Sequence, residues 1–145
     1  MNIVQCYDLG LAVEGKISDV NAKITEFEEL PDKTAADYTA IIQLESVTTI
    51  LNDVSGFLTV RKRGSVESTE NTSFVLVTNK NPYIGCDKWT NLKAKFVAIQ
   101  SILSYIKALN YLNPIILNYV KNVLDPFVKT QITQIENKIR YFLSL

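Results

Sequence analysis

The sequence contains no histidine. That absence removes the most frequent general base, every Ser–His or Cys–His nucleophile pair and the imidazole ligands that many metal sites use. Cysteine is nearly as scarce. Cys6 and Cys86 lie in separate segments, at a spacing that is neither that of metal ligands nor that of a disulfide framework, and a reducing compartment follows as the expectation. No charge of either sign is in surplus, since 15 Lys+Arg stand against 15 Asp+Glu, whereas a nucleic-acid-binding domain normally carries a basic excess. The chain opens without the basic stretch and apolar core of a secretion signal, so an intracellular or cytoplasmic setting, or a place inside an assembled virion, is expected. The sequon Asn71-Thr72-Ser73 is then expected to stay unmodified. Long apolar runs are missing too. The most apolar stretch, residues 96–128, is broken by Lys107, Lys121 and Asp125, which argues against a membrane span.

What is present is the material of one globular domain, with 47% apolar and 21% charged residues over 145 positions. No repeat, low-complexity tract or linker divides it, so a single domain over 1–145 is expected. The neutral total hides an asymmetry: residues 1–80 carry 7 basic and 12 acidic side chains, a net −5, and residues 81–145 carry 8 and 3, a net +5. Halves of opposite sign pair within a fold or guide contacts between subunits.

Helical periodicity dominates. A helix over about 18–30 is marked by Val20, Ile24, Phe27 and Leu30, and Pro31 and Asp32 close it. Thr34 with Asp37 three residues on forms a variant capping box for a helix over about 34–54, with the stripe Tyr38, Ile41, Leu44, Val47, Leu51 and Val54 and with Gly56 as its stop. Over about 87–110 the spacing is at its most regular: Trp89, Leu92, Phe96, Ile99, Leu103 and Ile106 alternate by three and four. Asn113-Pro114 and Asp125-Pro126 each read as an N-cap followed by proline at the first helical position, so 114–144 is one kinked helix or two, with the break near 125–126. Between the second and third helices the period changes. Phe57–Arg63 and Ser73–Thr78 are rich in β-branched and aromatic residues around a polar stretch, which predicts a β-hairpin over about 57–78, ended by the turn Asn81–Gly85. A short strand at Ile3–Tyr7 is also expected. The fold class is therefore mainly α, a bundle with heptad-like seams and one inserted hairpin.

No arrangement of residues makes a convincing catalytic or metal centre, and no cofactor is expected. Cys86, beside Lys88 and ahead of a helix, is the best-placed thiol, yet a free cysteine usually behaves as a small hydrophobe. The carboxylates Glu26, Glu28, Glu29, Asp32 and Asp37 follow one another along a helix end and loop rather than converging, and read as a solvated face. Gly10–Lys16 fits the G-x-x-x-x-G-K part of a phosphate-binding loop, but Ile17 stands where the magnesium-holding hydroxyl belongs and Glu14 would oppose the phosphates. An ordinary turn is the expectation there.

The order helix, helix, hairpin, helix over about 34–110 is similar in layout to winged-helix DNA-binding regulators. That resemblance would place 47–54 in the major groove, a segment with Thr48, Thr49 and Asn52 but no basic residue. The reading that fits best is a non-enzymatic structural protein that forms homo-oligomers or docks onto other protein subunits, for example a connector or accessory protein of a virus or phage particle. A small inhibitor or adaptor of one host protein is the further alternative. The C-terminal residues Val128, Ile132, Ile135, Ile139 and Phe142 repeat by fours and threes, and form the expected oligomer seam. Arg61, Lys62 and Arg63 on the hairpin are the expected partner-binding residues, or else a charged guard on a strand edge.

Overall fold

Six residues spaced by threes and fours set the centre of the structure: Trp89, Leu92, Phe96, Ile99, Leu103 and Ile106 all turn inward from one helix. The structure is a computed structural model; it describes residues 3–66 and 89–143, with side chains at 9–56, 58 and 89–140. In chain order the helices are α1 (Ile3–Glu28), α2 (Ala35–Val66), α3 (Trp89–Lys107), α4 (Pro114–Tyr119) and α5 (Asp125–Leu143), the last two joined by a wide π-type turn over Val120–Leu124.

Side-chain pairs fix how these helices lie. Gly10 of α1 faces Leu58 of α2, Asp53 of α2 reaches Lys95 of α3, and Lys107 and Lys93 of α3 reach Asp125 and Glu136 of α5. Asp19 and Lys16 of α1 meet Tyr119 and Phe127. Between α1 and α2, α2 and α3, and α3 and α5, early residues of one helix meet late residues of the other. The chain therefore runs up, down, up and down around one core.

The mainly α reading holds, but the inserted β-hairpin does not. Residues 57–66, including the expected strand Phe57–Arg63, continue α2 as helix, and Gly56 lies inside α2 instead of stopping it. Leu58 explains why. It extends the buried row Val47, Leu51, Val54 by one more turn and packs fully buried beside Gly10, so tertiary burial outweighs the local β preference of this run. The second expected strand, Ser73–Thr78, and the turn Asn81–Gly85 lie outside the described residues. A second correction concerns the beginning of the chain. Ile3–Tyr7 is helix, not strand, and α1 starts far ahead of Ser18 because Leu9 and Val13 carry its buried stripe toward the N-terminus. Gly10–Lys16 accordingly lies within α1 and forms no phosphate-cradling turn.

The run after Asn113 is the least regular part. Asn113 caps α4 as expected, its Oδ1 accepting from the backbone of Ile115 at 2.9 Å with Pro114 at the first turn. Beyond it, the apolar residues Ile116, Val120, Leu124, Val128 and Ile132 recur every fourth position. In an α-helix of ~3.6 residues per turn each such step overshoots by ~40°, which would carry Ile116 and Ile132 to nearly opposite faces. Both are nonetheless buried. The wide turn reconciles them, because its bond from Asp125 N–H to Val120 O spans five residues and takes up the excess. Its place just ahead of Pro126 also follows, since proline supplies no N–H to the preceding turn and crowds its carbonyl.

Candidate functional site

Three polar ties lock the helices together, and they account for the titratable groups that burial would otherwise leave in difficulty. At one end of the bundle Asp37 is only 2% exposed. Its Oδ2 accepts from Thr34 N–H at 3.0 Å and its Oδ1 from Asn113 N–H at 2.7 Å, while Thr34 Oγ1 accepts from Asp37 N–H and donates to Tyr111 O. The capping box expected from Thr34 and Asp37 is thus formed, and the same carboxylate also clamps the α1–α2 turn onto the α3–α4 turn. Lys33 completes this end by donating to the Glu28 and Leu30 carbonyls at the close of α1.

The second tie is Asp125, buried beside the wide turn, with Lys107 Nζ at 2.8 Å and Lys129 Nζ at 3.5 Å. Burial alone would raise its pKa. The hydrogen bond and charge of Lys107, helped by Lys129, prevail and hold the carboxyl below its ordinary range. In the third tie Tyr119 Oη donates to Asp19 Oδ2 at 2.7 Å, and the ring packs edge-on against Phe27 with centroids 5.8 Å apart. Burial, then the bond to Asp19 and its charge, push the phenol pKa well above the ordinary value. A hydroxyl so held is a strut between α1 and α4 and a poor nucleophile.

The carboxylates that follow one another in sequence do not converge. Glu26 pairs with Lys23 at 3.1 Å, and Asp37 is engaged at the bundle end. Among the described residues no three or more cysteine, aspartate or glutamate side chains gather as a metal site would require. No helix among them is long and apolar enough to cross a membrane.

The expected oligomer seam turns inward. Val128, Ile132 and Ile135 are buried in the core, and Ile139 packs partly buried against it. Phe142 belongs to the helical backbone of α5. Arg61, Lys62 and Arg63 fall within α2, so the strand edge they were expected to line or guard is not there. The winged-helix layout loses its first wing strand with it. In its would-be reading segment Thr48 is buried with Val47, Leu51 and Val54, whereas Thr49 and Asn52 are exposed. Cys86 and Lys88 lie outside the described residues.

What remains on the outside is apolar surface that the seams did not announce. Tyr38, expected in the core stripe of α2, is 55% exposed, and Ile42 one turn on is 59% exposed. On α3, Val97 is 40% and Tyr105 52% exposed, and Tyr111, in the turn that follows, 88%. The register set by Asp53–Lys95 and Asp37–Asn113 brings Ile42 to the level of residues 105–108 and Tyr38 to that of Tyr111. These side chains belong to the neighbouring helices α2 and α3 and the turn after α3; Leu11, Ile115 and Val123 are exposed on other elements. A signal for the exposure on α3 stands in the sequence as the eleven residues from Phe96 to Ile106, which include no charge. Comparisons with family models, with curated proteins and with solved structures returned no match.

Proposed function

We propose that this chain is a non-enzymatic assembly protein, a helical unit that associates with further copies of itself or with other protein subunits, as components of virus and phage particles do. The observation that supports this reading most directly is the α2–α3 flank, where Tyr38, Ile42, Val97 and Tyr105 stand exposed. Large apolar side chains left exposed on neighbouring helices are characteristic of interaction surfaces. The polar groups of the interior add support from the other side, since Asp37, Asp125 and Tyr119 are each held in hydrogen bonds that join helices.

The test is the solution mass of the full-length chain, by light scattering after size exclusion over a wide range of concentration. A discrete multimer is the expected result. A monomer of 16.3 kDa at every concentration refutes self-association, and the same flank would then belong to a different protein, as in an inhibitor or adaptor.

A further inference from the structure

The flank names its own partner when the outer face of α3 is considered position by position. Apart from Lys95, the exposed residues from Ala94 to Ala108, one position past the end of α3, are Ala94, Val97, Ala98, Ser101, Ser104, Tyr105 and Ala108. At ~100° per residue they occupy one arc of ~120°. Their positions are symmetric about Ser101. An antiparallel copy related by a two-fold axis through Ser101 sets Val97 against the second copy's Tyr105, Ala98 against Ser104 and Ala94 against Ala108, so that the one large ring meets a smaller side chain and the other contacts join small residues. A two-fold contact requires a surface that complements itself in this way.

Charge points to the same occupant. Residues 96–106 include none, whereas no other helix among the described residues has more than seven uncharged positions in succession. The lysines bordering the face are each engaged within the chain: Lys93 with Glu136 at 4.0 Å, Lys95 with Asp53 at 3.7 Å and Lys107 with Asp125 at 2.8 Å. A charged peptide or a nucleic acid would find nothing here to pair with. An equally uncharged helix face fits, and this chain carries one.

Resting on the assembly reading above, we infer that the outer face of α3 is a homodimer interface, in which two copies pack α3 against α3 antiparallel about Ser101, with Tyr38 and Ile42 of α2 at its border. The size of the face sets the strength. Residues 94–108, over which two copies related about Ser101 overlap, span ~21 Å, and a strip two helices wide then buries on the order of 850 Å² over both copies, the size of a weak, transient interface. A weak dimer, populated only at high protein concentration, is the expectation.

Sedimentation equilibrium on the full chain, combined with a charge swap, tests this. Val97→Glu alone and Tyr105→Lys alone should each weaken dimerisation at least tenfold while leaving the thermal unfolding curve in place, because both side chains are exposed in the single chain. The double variant should regain most of the affinity, since each new glutamate meets a lysine across the axis, and should gain a salt dependence that the parent lacks. Ser101→Cys should oxidise to a dimer whose linking peptide, by mass spectrometry, joins residue 101 to residue 101.

A multimer that is indifferent to both single variants, or that dissolves in high salt without them, keeps the assembly reading and overturns this interface. A chain that is monomeric at every concentration overturns both. Loss of association in the singles without recovery in the double overturns the antiparallel register.

Discussion

Replacing Asp37 by alanine should cost more stability than any other single change to a charged residue of the bundle. The carboxylate accepts two backbone N–H groups, from Thr34 at 3.0 Å and Asn113 at 2.7 Å, and is 2% exposed. Hydrogen bonds to an ionised group are worth roughly 1.5–3 kcal/mol each, and losing half of a capping box adds about 1 kcal/mol. Against these stands the desolvation of a buried charge, which the variant no longer bears. The net loss is about 3 kcal/mol, a large share of the 5–15 kcal/mol typical of a domain and a fall of roughly 6–12 °C in Tm at this chain length. Asp37→Asn keeps one acceptor oxygen and turns an N–H donor toward the other partner, so a loss of about 1–2 kcal/mol is expected. Urea unfolding followed by circular dichroism at 222 nm measures both. Thr34→Ala should cost about 1 kcal/mol and couple to Asp37→Ala, because the two side chains share the box. An Asp37→Ala loss below 1 kcal/mol, or strict additivity with Thr34→Ala, would refute the clamp.

Gly15 and Gly56 lie inside helices with open space where a Cβ would go, so Gly15→Ala and Gly56→Ala should each stabilise by about 1 kcal/mol in the same urea titration; destabilisation at Gly56 would argue that the chain turns there. Tyr111 holds φ at 65° with its side chain almost wholly in solvent, and Tyr111→Gly should raise stability by roughly 0.5–1 kcal/mol, a drop in Tm being the contrary result. The folded state depresses the pKa of Asp125, so its contribution is present above the ordinary carboxylate range and is lost as pH falls through the lowered value; a Lys107→Met variant should show a shallower acid limb in stability against pH. Tyr119 is shifted the other way. Its contribution is complete below pH ~10 and lost above it, once the unfolded chain's phenol ionises, so Tyr119→Phe should flatten the alkaline limb.

The helices whose signals were both periodic and capped were legible from the sequence alone. All six expected positions of α3 are buried, Thr34 and Asp37 form their box, and Asn113-Pro114 opens α4. The failures share a cause. Short runs such as Ile3–Tyr7 and Phe57–Arg63 hold too few turns for a period to register, and their β-branched residues then decide the local reading. Only the partner shows otherwise: Leu58 and Gly10 sit 48 residues apart in sequence yet face each other across α1 and α2, and that contact carries both helices beyond their apparent ends. Tyr38 was misplaced for a related reason. Its spacing to Ile41 satisfies the stripe, but the register of α2 against α3 is set by Asp37 next to it, which turns inward and leaves the ring beside Lys33 at the surface.

The α5 seam shows where periodicity stops being informative about assembly. A three-four repeat says that a helix has a partner and is silent on whether the partner belongs to the same chain. Val128, Ile132 and Ile135 find theirs inside, so Ile135→Asp, which would dissolve an oligomer had this seam joined subunits, should instead unfold the chain. An unpaired carboxylate in that position costs on the order of 3 kcal/mol or more in addition to the lost packing. The two outcomes separate in one experiment. Loss of helical circular dichroism together with loss of mass identifies an internal seam, whereas a folded monomer would place Ile135 between subunits and contradict the bundle. For the outer face of α3 the proposed dimer supplies a different reading, because its exposed positions between Phe96 and Ile106 carry no charge while its inner side is lined with buried apolar residues. Periodicity locates the core, and in the dimer proposed above the uncharged outer face of α3 supplies the contact.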